Sequence, residues 1–194
     1  MPRPNYAEPF YWWGHPWRPT VPLPLPALVA TAVLSTGEAN FLVTALNEGQ
    51  SLAVVSDASG AGKSTLLWAL AASMQVEVPR IYIRGQYETF AFTDQVQPGS
   101  PPVLLLVNEV SSFLPVYCWG KSRDRLFGAE FARCQIAATF HAPSLDAFCD
   151  TWRQSGAGCS NLSRRAFDVT VFLGPEAIAS EGSISRVIKI QTAH

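Results

Sequence analysis

The chain has 194 residues, 48% of them hydrophobic and only 15% charged, with 14 Lys and Arg against 15 Asp and Glu. That length suits one domain with a single well-buried core. A formal net charge of −1 provides no field for nonspecific nucleic-acid binding and leaves a basic-patch function unsupported.

Residues 1–25 read as an extended arm rich in proline and aromatic residues. Prolines recur too often for a helix, and no basic segment precedes an apolar one as in a secretory signal. Tyr11, Trp12, Trp13 and Trp17 need burial, either along their own domain or against a partner or neighbouring subunit. Residues 21–35 are apolar, but Pro22, Pro24 and Pro26 break them and Glu38 and Asn40 soon follow. The stretch is too short and interrupted to span a membrane.

Residues 26–194 read as the single domain that follows this arm. Helical spacing of apolar residues from Pro26 to Leu46 predicts one or two helices, and Leu52 to Ser56 a strand. The next residues, Asp57-Ala58-Ser59-Gly60-Ala61-Gly62-Lys63-Ser64-Thr65, open an apolar-periodic helix predicted to run to Met74. Strand, glycine-bearing loop and helix form the order of a phosphate-binding loop. Successive backbone N–H groups and the helix N-terminus hold phosphate oxygens, a lysine at position 63 reaches the β and γ phosphates, and Ser64 ligates Mg²⁺. The pattern G-x-x-x-x-G-K-[ST] is met except at its first position, where Asp57 stands in place of glycine. A carboxylate there repels the phosphates it faces.

Arg80 to Ile83 predicts a second strand. Val103 to Val107 is a continuous apolar run bounded by Pro102 and Asn108, as in a strand buried on both faces of a parallel sheet. Glu109 follows, at the carboxyl end of that strand, where ligands sit in open α/β sheets. Phosphoryl transfer needs a carboxylate there to orient or deprotonate water, so Glu109 is a candidate base; the plainer alternative is a glutamate capping a strand at the surface. Asn108 occupies the place where many P-loop ATPases carry a magnesium-facing aspartate. Ile136 to Phe140 predicts a strand that delivers His141 to the same edge, and Ser144 N-caps a helix to Gln154. Asp168 to Leu173 and Arg186 to Ile190 predict two closing strands. Strands alternating with helices predict a doubly wound, mostly parallel α/β sheet with flanking helices. Cys118, Cys134, Cys149 and Cys159 show no C-x-x-C pair and read as buried thiols of a reducing cytosol.

The loop, the strand ending in Asn108-Glu109, and the segment Thr139-Phe140-His141-Ala142-Pro143-Ser144 come in an order that resembles the type II and type IV secretion and pilus-assembly ATPases. The likeness is greatest to their tight-adherence and conjugation-type branch. That family carries an hhhhGE strand before a T-h-H-A-N-S box, and His141 falls on the histidine of that box. Asp168-Val169-Thr170-Val171 and Ser185-Arg186-Val187 match its closing strands. The resemblance covers about residues 24 to 192. It implies a RecA-like P-loop domain that binds ATP with Mg²⁺, with Glu109 positioning water and His141 meeting the γ-phosphate. It also implies a ring of subunits, commonly six, or association with another secretion ATPase. Such a ring works at the cytoplasmic face of a membrane complex, peripheral to the inner membrane through partners, and powers or regulates secretion or pilus assembly.

The chain departs from that family at four places. Asp57 replaces glycine. Ile83-Arg84-Gly85 stands for an acidic box, leaving Glu88 as the nearest acid. Ser111-Ser112 replaces a basic residue, and about fifty residues precede the loop, too few for the family's separate N-terminal domain. These departures suit a non-catalytic regulatory or structural relative. A third reading is a small-molecule P-loop kinase with Lys121-Ser122-Arg123-Asp124-Arg125 as a basic lid. Arg84, Arg123, Arg125, Arg133, Arg164 and Arg165 are read as surface arginines.

Overall fold

The computed structural model describes residues 6–7, 23–97, 99–144, 146–148, 167–177 and 183–192. Two helices lead into the sheet. In α1 (Leu25–Ala30), Pro26 sits in the first turn, where its missing N–H has no partner to lose. α2 (Thr36–Asn47) starts at a capping box: Glu38 N donates to Ser35 Oγ at 3.2 Å, and Ser35 N donates to the Glu38 carboxylate at 2.7 Å.

After α2 come β1 (Leu52–Ser56), α3 (Lys63–Ala72), β2 (Arg80–Ile83), β3 (Leu104–Val110), α4 (Lys121–Leu126), β4 (Gln135–His141), β5 (Val169–Ala177) and β6 (Ser183–Thr192). The strands form one six-stranded sheet in the order β2-β3-β4-β1-β5-β6. All neighbours are parallel except β5 and β6, which pair antiparallel. β4 therefore stands between the loop-bearing β1 and β3.

Alternation along the strands divides the core. Leu52, Val54, Leu104, Leu106 and Ala137 pack with Leu42, Leu66 and Leu70 of α2 and α3. Ala53, Val55, Leu105, Val107 and Ala138 face the other way, toward Leu126 of α4 and the rings of Phe90, Phe92, Phe131 and Phe148. Both sheet faces are covered, which is why these strands read as continuous apolar runs. Ser144 caps as expected, its Oγ accepting from Ala147 N at 3.0 Å; the predicted end of that helix at Gln154 lies outside the described residues. Cys118 and Cys134 are buried thiols, and burial pushes the Cys118 thiol up to about 12. Cys149 and Cys159 lie outside the described residues.

Tyr6 fastens the start of the chain to the β2 edge. Its carbonyl accepts from Tyr82 N at 2.9 Å, its hydroxyl donates to Glu88 Oε1 at 2.6 Å, and its ring meets Phe92 edge-on at 5.2 Å. At this residue the arm packs along its own domain; Tyr11, Trp12, Trp13 and Trp17 lie outside the described residues. Buried Glu88 also accepts from Arg84 N at 2.9 Å and Phe90 N at 2.7 Å. It thereby shapes the turn after β2. That turn meets the segment after β3 at Gly85, where an added Cβ would lie 2.0 Å from Val116 O at a φ of +57°.

Gly85→Ala is expected to cost about 3 kcal/mol or more, from the left-handed backbone and the clash together. Gly49→Ala, at a φ of +79° with open space around it, is expected to cost only about 1 kcal/mol. Urea unfolding of the two variants checks this, and equal losses would mean that the Val116 segment yields freely.

Candidate functional site

The loop between β1 and α3 is built from its glycines. Gly60 and Gly62 take φ values of +78° and +84°, and Gly62 is the residue from which α3 starts. Asp57, Ala58, Ser59 and Gly60 are exposed, Ala61 is buried, and Gly62, Ser64 and Thr65 are partly covered. Ser56 ties the loop's base on both sides. Its Oγ accepts from Ala58 N at 3.2 Å, and its carbonyl accepts from Ala142 N at 3.2 Å.

Lys63 is only 5% exposed, because its chain folds back under the loop. Nζ donates to Ala58 O at 3.3 Å and lies 3.6 Å from Glu109 Oε2. The ammonium is thus shared between the loop's own backbone and the candidate base.

β3 runs further than its apolar residues predict, through Asn108 and Glu109 to Val110. The reason is that its polar end is satisfied. Asn108 Oδ1 accepts from Ser64 Oγ at 2.6 Å and from Thr139 Oγ1 at 3.0 Å, and Glu109 O accepts from Cys118 N at 2.8 Å. The register against β4 slips here: Val107 pairs with Ala138 but Val110 with Phe140, so β3 holds one extra residue. Val107 and Val110 both enter the aromatic half of the core. Strict alternation would send Glu109 there as well; the bulge instead turns it toward Lys63. The Asn108–Glu109 peptide is cis.

His141 ends β4, paired in register with Ser56 of β1. Its Nδ1 lies 3.8 Å from Glu109 Oε1, and its ring stacks with Phe113. Lys63, Ser64, Asn108, Glu109 and His141 therefore meet at the carboxyl ends of three adjacent strands, while Asp57 remains at the exposed lip of the loop.

Glu109 is 7% exposed. Burial raises its carboxyl above the usual range, and the charges of Lys63 and His141 pull it back only in part. A carboxylate with a raised pKa is a better proton acceptor than an ordinary one, as a general base near neutral pH requires. Burial, followed by Glu109's charge, also pushes the Tyr117 hydroxyl up.

The donor set fits Mg²⁺ arriving with a nucleotide. Ser64 gives its one proton to Asn108 and keeps its lone pairs for a cation. Among the described residues no group of three or more His, Cys, Asp or Glu could hold a metal. A few protein ligands completed by phosphate oxygens and water is the usual magnesium arrangement.

The remaining charges belong elsewhere. Arg123 is 7% exposed, not a surface arginine: it pairs with Asp124 at 2.6 Å and lies over the Trp119 ring at 4.3 Å. Arg125 pairs with Glu130 at 2.9 Å. The segment proposed as a basic lid is thus helix α4, with two of its guanidiniums held by nearby carboxylates. Arg84 lies over the Tyr6 ring and Arg133 is exposed; Arg164 and Arg165 lie outside the described residues. Phe113 is the site residue that the motifs do not include, and Thr139, the first residue of the histidine-bearing segment, gains a role there through its bond to Asn108.

No protein-family model and no curated protein matches the chain by sequence. Among solved structures it is similar to the VirB11 ATPase of the Brucella suis type IV secretion system, solved in complex with sulphate. The TM-score is 0.54 at 14% identity, over 98% of this chain and 64% of that one. It is also similar to the Legionella pneumophila ATPase DotB, with a TM-score of 0.55 at 14% identity over 85% of this chain and 49% of that one. The chain thus spans less than two thirds of either protein. At that identity the likeness shows the fold alone, the α/β P-loop fold of those two ATPases, with a mostly parallel sheet and flanking helices.

The raised carboxyl of Glu109 gives a pH prediction. From about 4.5 up to its raised value, the folded chain keeps a proton that the unfolded chain has released, so stability falls as pH rises through that window. Urea unfolding of wild type and Glu109→Gln across it should show the wild type losing stability relative to the variant as pH rises. A constant difference would mean that the carboxyl titrates alike in both states.

Proposed function

We propose that the chain is a nucleotide-binding domain of the secretion-ATPase kind that binds ATP with Mg²⁺ and hydrolyses it. The observation that carries this reading is the meeting of Lys63, Ser64, Glu109 and His141 at the ends of β1, β3 and β4. Residues 57–65 hold the phosphates, with Lys63 moving its charge from Glu109 to the triphosphate. Bound Mg²⁺ would supply charge neutralisation between phosphate oxygens, with Ser64 among its ligands. Released from Lys63, Glu109 positions water and takes its proton, and His141 meets the γ-phosphate. The similarity to VirB11 and DotB supports a role in powering or regulating a secretion or pilus machine at the cytoplasmic face of a membrane. No described helix is long and apolar enough to cross one, and the proposal assigns attachment to partners. A ring of copies, or association with another secretion ATPase, completes the proposal, with residues 1–25 as an arm and 26–194 as the nucleotide domain.

The non-catalytic reading keeps one observation of its own. The ammonium that should greet phosphate is already held by Glu109 and Ala58 O, and Asp57 adds a repelling charge at the loop's lip.

Titration with a fluorescent ATP analogue is expected to show binding that weakens about tenfold or more in Lys63→Ala, the cost of one charge-assisted contact. Equal affinity in both proteins, or none in the wild type, would remove the nucleotide reading. Asp57→Gly is expected to tighten binding by about 1 kcal/mol, a typical near-surface charge interaction.

Glu109→Gln is expected to keep ATP binding while hydrolysis falls by roughly 10²–10⁴-fold, the usual size of lost acid–base help. Phosphate release should be followed over a range of protein concentrations and with a candidate partner ATPase present. Binding without hydrolysis under all these conditions leaves the non-catalytic relative.

A further inference from the structure

Phe113 is 70% exposed, the most exposed large hydrophobic side chain among the described residues. Leaving a phenyl ring in water forfeits the stabilisation that burial brings, so its position calls for a contact that the core does not supply. That contact is His141: the two ring centroids are 5.5 Å apart and the planes differ by 23°, an offset stack. The segment bearing Phe113 is well held. Phe113 N donates to Ser111 Oγ at 3.0 Å, Tyr117 N to Leu114 O at 3.1 Å, and Gln86 N to Val116 O at 3.3 Å.

The imidazole's approach to Glu109, at 3.8 Å, is longer than a hydrogen bond and does not fix the ring's plane. Sheet register fixes the backbone of His141 but not the rotation of its side chain. Phe113 supplies the missing constraint.

We propose that Phe113 is a positioning residue: its ring holds the His141 imidazole in the plane that turns Nδ1 toward Glu109. Its effect on turnover rests on the hydrolytic reading above; the orientation of the ring does not. Phe113→Leu keeps an apolar side chain and removes the plane, whereas Phe113→Tyr keeps the plane.

In the full chain, Phe113→Leu is expected to lower kcat for ATP hydrolysis about three- to tenfold, the size of an aromatic stacking contact, with KM changed much less. Phe113→Tyr should restore kcat. In a His141→Gln background Phe113→Leu should have no further effect. Proton NMR gives a readout without turnover. The chain has 3 histidines, so His141→Gln assigns the ring protons of His141, which a stacked phenyl ring shifts. In Phe113→Leu that shift should disappear.

A His141 resonance that stays put in Phe113→Leu overturns the proposal, and so does an equal loss of kcat in both backgrounds. A resonance that moves in Phe113→Leu, together with a wild type that does not hydrolyse ATP, upholds the orientation and overturns the hydrolytic reading instead.

Discussion

A lysine and a glutamate, both buried, face each other across the end of the sheet, with Lys63 Nζ 3.6 Å from Glu109 Oε2. Each charge offsets part of the other's desolvation, so the surrounding elements have to bring the two together. α3 starts at Gly62 in the left-handed conformation, which sets the lysine at the first helical position. β4 takes the place between β1 and β3, adding His141 to the same end. The slip in β3 register turns the glutamate inward. A nucleotide entering the loop would compete for an ammonium that is already engaged.

Much of this was legible in the sequence because it rests on local chemistry. The β1 and β2 boundaries follow from short apolar runs between turn residues, and the loop announces itself through Gly60, Gly62 and Lys63 between a strand and a helix. Both sheet faces are covered, so buried strands such as β3 and β4 stand out as unbroken hydrophobic segments. What stayed hidden depends on pairing between distant parts of the chain. An extra residue in β3 is a property of its register against β4, and nothing in Asn108-Glu109 alone shows it. Nor does apolar patterning indicate that a strand continues through two polar residues when Ser64, Thr139 and Cys118 N satisfy them. The burial of Arg123 against Trp119 is hidden for the same reason, since a basic run ordinarily marks a solvated helix face.

The likeness to VirB11 and DotB is one of backbone arrangement at 14% identity, and a fold of this kind hosts many activities. The site has to carry the functional reading. It differs from a plain P-loop in being neutralised from within: Asn108 brings an amide where an acid is common, and its one oxygen serves two hydroxyls. With no carboxylate at that position, Glu109 is the acid that the site places beside Lys63. A single titratable group, Glu109, thus sits against the ammonium beneath the loop and carries the raised carboxyl of the site.

Tyr6 has a consequence beyond its own contacts. β2 forms an edge of the sheet, and an open strand edge invites pairing with another chain. The carbonyl of Tyr6 occupies Tyr82 N on that edge, and its hydroxyl sits against the buried carboxylate of Glu88. Trimming the proline-rich start of the chain as a dispensable tail would therefore bare a hydrogen-bonding strand edge and deprive an interior carboxylate of a donor. Material made that way would be prone to edge-to-edge association, and an oligomer found in it would report on the missing tyrosine rather than on any native ring.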